Sequence, residues 1–201
     1  MANPKRTPKD PKRTKSATAG KSPVGWAAQA LPTRTVVKES PAPEPLPAGR
    51  TFWRGVITGR RSFEELSALN SVQRSDLIES GVPAALLTLL SARLDIPREQ
   101  LYATLGVKRA TVDRKIKAKA ILSTEQSEGA VGIARLIGQV AQMVRESGNA
   151  EYFDAARWVA DFLERPNPAL GGRRPAELMR TSDGRNAVAT LVAQMQSGAY
   201  A

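Results

Sequence analysis

The chain of 201 residues contains no cysteine and no histidine. Disulfides, thiolate nucleophiles, Cys/His zinc sites and imidazole acid–base chemistry are therefore excluded together. No apolar run approaches the roughly 18 to 20 residues that span a bilayer. The start, "MANPKRTPKDPKRTKSATAG", lacks the apolar core of a signal peptide. These absences predict a cytoplasmic protein with no membrane partner, no metal and no cofactor. Paired carboxylates such as Glu64 and Glu65 sit where a helix begins, so capping accounts for them and no catalytic residue is assigned.

What is present is charge, proline and helical periodicity. The net charge of +11 is uneven: residues 1–50 carry 10 Lys/Arg against 3 Asp/Glu, and the remainder carries 20 against 16. The first 50 residues also hold 9 of the 14 prolines, including "PAPEPLP". Proline blocks helix and removes backbone donors, and few apolar side chains are there to offset ordering entropy. Residues 1–50 are thus expected to be a disordered basic tail, able to add non-specific attraction to nucleic acid or simply to stay solvated.

From Phe52 onward the pattern is helical, and the fold class is all-α. "SFEE" at 62–65 and "STEQ" at 123–126 are capping boxes that open helices. Gly81 ends a short helix, and Pro83 suits the first turn of the next, where Leu86, Leu89, Leu90 and Leu94 share a face. Helices over 98–105 and 108–119, joined by Gly106 and Val107, form a helix-turn-helix pattern with a seam of Leu101, Leu105, Val112 and Ile116. The second helix is basic. Lys108, Arg109, Thr111, Arg114, Lys115 and Lys117 are the candidate DNA-binding residues, the long cations reaching phosphates and Thr111 and Arg114 standing near the helix start. The same spacing also fits a solvated basic face.

A long helix after Ser123 places Ile133, Leu136, Ile137, Val140 and Val144 on one stripe, as core or helix–helix contact. "AEYFDAARWVADFLERP" resumes the helix with Phe153, Ala156, Val159, Ala160 and Leu163 on one side, Trp158 packing inside or at an interface. Pro166 stops it. "NPALGGRRP" at 167–175 follows, then a short helix opened by Pro175, then a last helix after "TSD" with Val188, Leu191, Val192 and Met195 aligned. The loop lacks the preceding strand and the GK[ST] of a phosphate loop. It is more proline- and glycine-rich than an ordinary turn requires, and Leu170 beside Arg173 and Arg174 suits a partner anchor.

Residues 162–201, "FLERPNPALGGRRPAELMRTSDGRNAVATLVAQMQSGAYA", resemble the C-terminal toxin-binding domain of Xre/MbcA/ParS-type antitoxins. Leu163, Pro166, Asn167, Leu170, Gly171, Gly172, Pro175, Leu178, Thr181, Gly184, Gly198 and Tyr200 match its motif. Phe162 stands where that family usually has Trp, and Lys108 where its relatives often have a Ser cap. The likeness reaches upstream through an Xre-like helix-turn-helix, which divides the chain into a tail (1–50), a DNA-binding-like domain (51–125) and a toxin-binding domain (126–201).

The resemblance implies a non-enzymatic antitoxin paired with a RES-type toxin that consumes or transfers from NAD. It implies occlusion of the toxin's NAD cleft by Asn167, Leu170, Gly171, Gly172, Arg173, Arg174, Tyr200 and Ala201. Autorepression at operator DNA would be the second role, carried by a homodimer assembled through the C-terminal domain and the long apolar stripe. The alternatives are a stand-alone helix-turn-helix regulator without a toxin and a general nucleic-acid binder driven by the tail.

Overall fold

In the computed structural model, residues 49–148 and 151–196 are described, all within one compact unit spanning Glu44–Ala201, and of Gln196 only the backbone is described. The tail at 1–48 and the proposed contacts Tyr200 and Ala201 lie outside the described residues. Every regular element among the described residues is helical. None of these helices is long and apolar enough to cross a membrane.

Helix α1 (Gly49–Ile57) buries Phe52, Trp53 and Val56, with the Trp53 indole donating to the Leu77 carbonyl at 3.3 Å. Helix α2 (Phe63–Ala68) opens on the expected capping box of Ser62 and Glu65. Helix α3 (Ser71–Glu79) opens on a second one, Asn70 with Gln73, which the sequence reading did not pick out. Helix α4 (Ala85–Leu94) buries Leu86, Leu90 and Leu94, while Leu89 is half-buried. Pro83 stands two residues ahead of α4 rather than in its first turn. The strand-like pairing of Val82 and Ala84 with Ala120 and Leu122 holds that backbone extended, through Ala84 N–H to Ala120 O (3.0 Å) and Leu122 N–H to Val82 O (2.8 Å).

Helix α5 (Arg98–Leu105) and helix α6 (Arg109–Lys117) are the helix-turn-helix pair. Helix α6 is shorter than the expected 108–119, because Lys108 is extended and Lys119 has φ +50°. Helix α7 (Thr124–Glu146) runs through the middle of the fold and packs on α2, α3, α4 and α5. It also packs on α8 (Ala155–Glu164) and α10 (Ser182–Gln196). Helix α9 (Pro175–Leu178) starts with proline at its first position, as expected.

One expectation needs correction. Helix α8 starts at Ala155, not near Ala150: the Asp154 carboxylate accepts from the N–H groups of Ala156 and Arg157, so Phe153 precedes the helix and is 39% exposed. Of the apolar stripe on α7, Ile133, Leu136, Ile137 and Val140 are buried within the chain itself and Val144 is half-buried. Each fully buried side chain contributes about 1.5–3 kcal/mol.

Candidate functional site: the loop after helix α8 and the helix-turn-helix

The loop at 167–174 is held by its own backbone. The Asn167 side chain accepts from Ala169 N–H at 2.9 Å and starts a single 3₁₀ turn, Pro168–Leu170. The Asn167 carbonyl accepts from Leu170 and Gly172, both at 3.0 Å, and its N–H donates to Arg173 O at 3.1 Å. Closing this ring needs left-handed backbone at two successive positions, supplied by Gly171 (φ +66°) and Gly172 (φ +78°). The amides of Gly171 and Gly172 are spent on carbonyls of Pro168 and Asn167, so they form no anion cradle. Leu170 does not project; it is half-buried and packs against the core.

The two arginines differ. Arg173 is exposed, and among the described residues its guanidinium meets Glu177, at 3.5 Å. Arg174 reaches Glu164 of α8 and Glu177 of α9, each at 3.1 Å, and Glu164 in turn accepts from Gln100 of α5 at 3.2 Å. Hydrogen bonds from Arg174 and then Arg173 hold the Glu177 carboxyl below its ordinary value. The loop is thereby tied to the first helix of the helix-turn-helix. Sequence reasoning missed Glu164 and Gln100, which stand 64 residues apart.

The matching positions downstream have local reasons. Thr181 accepts from Gly184 N–H at 3.1 Å and so caps the start of α10. A Cβ on Gly184 would lie 2.0 Å from the Leu178 carbonyl oxygen, so only glycine admits this approach. Where the family usually has tryptophan, Phe162 is buried and stacks on Trp158, ring centroids 5.0 Å apart and planes 9° from parallel.

In the helix-turn-helix, Gly106 ends α5 with φ +68°, donating to Ala103 O and Tyr102 O. The Tyr102 hydroxyl contacts Asp113 of α6 at 3.1 Å, which fixes how the helices cross. Burial first and that contact second raise the Tyr102 pKa above its ordinary value. Of the six candidate DNA contacts, Lys108, Arg109, Arg114 and Lys117 are exposed, and Thr111 and Lys115 are half-buried. Arg109 is bound by Glu99 at 2.9 Å and Asp113 at 3.3 Å. Lys115 donates to Gln126, the capping glutamine of α7, at 3.0 Å. Ala110, Arg114 and Lys117, spaced i, i+4, i+7, share the outer face of α6.

Comparison with known proteins follows this division. The family profile described as the antitoxin Xre-like helix-turn-helix domain matches residues 73–135. That of the antitoxin Xre/MbcA/ParS C-terminal toxin-binding domain matches residues 150–198. A relative from Sphingobium sp. (strain YBL2), the Prs ADP-ribosylating antitoxin, is 39% identical over 156 residues, covering 78% of this chain and 98% of the relative. A toxin-binding domain beside the helix-turn-helix is at odds with a regulator that has no toxin partner. The loop and the start of α10 lie within the one match and the helix-turn-helix within the other, and the chain belongs to the Xre/MbcA/ParS antitoxins: it is the antitoxin of a toxin–antitoxin system, not an enzyme.

Proposed function

We propose that the chain silences a RES-type, NAD-handling toxin by laying the 167–174 loop and its C-terminal residues over the toxin's NAD cleft, and that it represses its own operon as a homodimer. The observation that carries the reading is the closed hydrogen-bond ring of the loop. A segment already fixed in one conformation loses little entropy on docking, so its contacts appear more fully as affinity. Asn167, Leu170, Gly171 and Gly172 set its shape, Arg173 offers a cation held by a single long contact, and Arg174 anchors the loop to α8 and α9. The Sphingobium relative's name includes ADP-ribosylation, chemistry for which NAD is the donor, and this supports an NAD-handling partner here.

For the second role, Arg114 and Lys117 are the cations of the outer α6 face, and Lys108 and Arg109 flank its start. Two such helices in a dimer, about 34 Å apart, fit half-sites one turn apart on a palindrome. The test is co-expression with the product of the adjoining gene, followed by NAD turnover of the purified toxin at saturating antitoxin. Turnover should collapse, and it should return when residues 198–201 are deleted from a chain whose helicity is unchanged. A toxin that keeps full turnover while bound to this chain refutes occlusion.

A further inference from the structure

Helices α7 and α10 meet along a seam where the Gln139 side chain donates to the Ala189 carbonyl at 3.2 Å. Beside this contact, and against α2 at Ser67, lies a hollow of about 340 Å³. Arg135 and Gln139 line it from α7, Asn186 and Thr190 from α10, and no aspartate or glutamate lines it. Arg135 is half-buried and has no ion pair among the described residues. The acids on the same face of α7 are committed elsewhere. Glu128, seven residues and so about 10.5 Å before Arg135, is held by Arg185 at 2.9 Å, and Glu146 accepts from Gln142 at 2.9 Å.

A second guanidinium comes close. Arg74 of α3 is half-buried, donates to the Leu69 carbonyl just past α2, and likewise has no ion pair among the described residues. Burial first and the Arg135 charge second lower the Arg74 pKa from its ordinary value. Two partly buried cations with no carboxylate to neutralise them repel. An anion held at Arg135 turns that repulsion into attraction for both. The guanidinium fork matches the oxygens of a phosphate, and the Asn186 amide and Thr190 hydroxyl add neutral donors that a tetrahedral oxyanion can use more fully than a two-oxygen carboxylate. At ~30 Å³ per water in the liquid, the hollow is larger than one phosphate fills.

We propose that this hollow binds a small phosphate, free or esterified, with Arg135 holding it, Arg74 adding positive charge and Asn186 and Thr190 donating to its remaining oxygens. None of its lining residues belongs to the 167–174 loop or to α6, so the site is separate from both docking surfaces of the functional reading. Isothermal titration of the full chain with inorganic phosphate and with ribose 5-phosphate, in chloride buffer of matched ionic strength, tests it. Both should bind once per chain; tighter ribose 5-phosphate points to an esterified occupant, and equal affinities to the free ion. Arg135→Gln should weaken both by ~10-fold or more, the loss of a charge-assisted hydrogen bond, with unchanged helicity, and Arg135→Lys should fall between the two. The N186A/T190A variant, altered only at exposed side chains, should also lose affinity, whatever Arg135→Gln does to the fold. No binding of either probe overturns the proposal, and if Arg135→Gln then also loses toxin capture, the hollow belongs to an acidic side chain of the toxin. Phosphate binding that is unchanged in both variants overturns it as well.

Discussion

Gly138→Ala is a small change with a large expected effect. Gly138 lies in the middle of α7, where α2 begins on top of it. A methyl group there would stand 2.0 Å from the Phe63 carbonyl oxygen and 2.5 Å from its carbon. A carbon needs about 3.3 Å from a carbonyl oxygen, so the α2 backbone must retreat by roughly 1.3 Å. It cannot do so freely: Ser62 and Glu65 cap this turn, and Leu66 one turn on is fully buried. Overpacking of this kind costs about 1–3 kcal/mol, and we take the upper end because backbone rather than a side chain must move. Replacing glycine in a helix interior returns about 1 kcal/mol. The net loss is about 2 kcal/mol, or a Tm lower by roughly 4–8 °C for a chain of this size. Thermal melts followed by circular dichroism measure it. A Gly138→Ala chain that melts at or above the wild type refutes the close approach of α2 to α7.

Other outcomes follow from the remaining geometry. Arg114→Ala should lower operator affinity by about 1–3 kcal/mol if it reads a base edge, whereas Arg109→Ala should do less, because Glu99 and Asp113 already hold that guanidinium; equal losses in a salt-titrated binding assay would contradict this ranking. Asn167→Ala removes the cap of the 3₁₀ turn and should cost about 1 kcal/mol of stability, together with a measurable loss of toxin affinity and unchanged operator binding; a variant that inhibits the toxin as well as wild type would show that the ring is not needed. Tyr102 has its pKa raised above 10.0, so its stabilisation is complete below the unfolded value and is lost as pH rises through the folded value. Tyr102→Phe should therefore flatten the alkaline end of the stability profile, and an unchanged slope would count against the contact with Asp113.

Local signals were legible in the sequence. The capping boxes of Ser62 and Ser123, the glycine turn at 106 and the first-position proline at 175 each depend on residues within one turn, and each forms where the residues indicate. The start of α8 was misplaced because Tyr152 and Phe153 extend the apolar pattern backwards; the signal against it was Asp154, a capping residue with three helical positions to follow. The partners of the α6 cations were not legible for a different reason. It treats every cation as available, while the fold commits Arg109 to two carboxylates and Lys115 to Gln126. The Gln100–Glu164–Arg174 chain of contacts joins three elements far apart in sequence, and no periodicity encodes such a meeting.

The two family matches leave residues 136–149 uncovered, yet this stretch of α7 includes Leu136, Ile137 and Val140, which are buried. The division into a DNA-binding-like part and a toxin-binding part is therefore one of sequence modules and not of separate cores. Leu105 at the end of α5 would lie 3.1 Å from a Cβ on Gly129, and Arg185 of α10 pairs with Glu128 of α7 at 2.9 Å. Cutting the chain at 125/126 strips α5 and α10 of a common support. Shortening it to either half should expose this apolar surface and lower solubility, whatever the intrinsic affinity of that half for toxin or DNA. With α7 as a shared support, the segment that matches the helix-turn-helix family and the segment that matches the toxin-binding family are built on one helix.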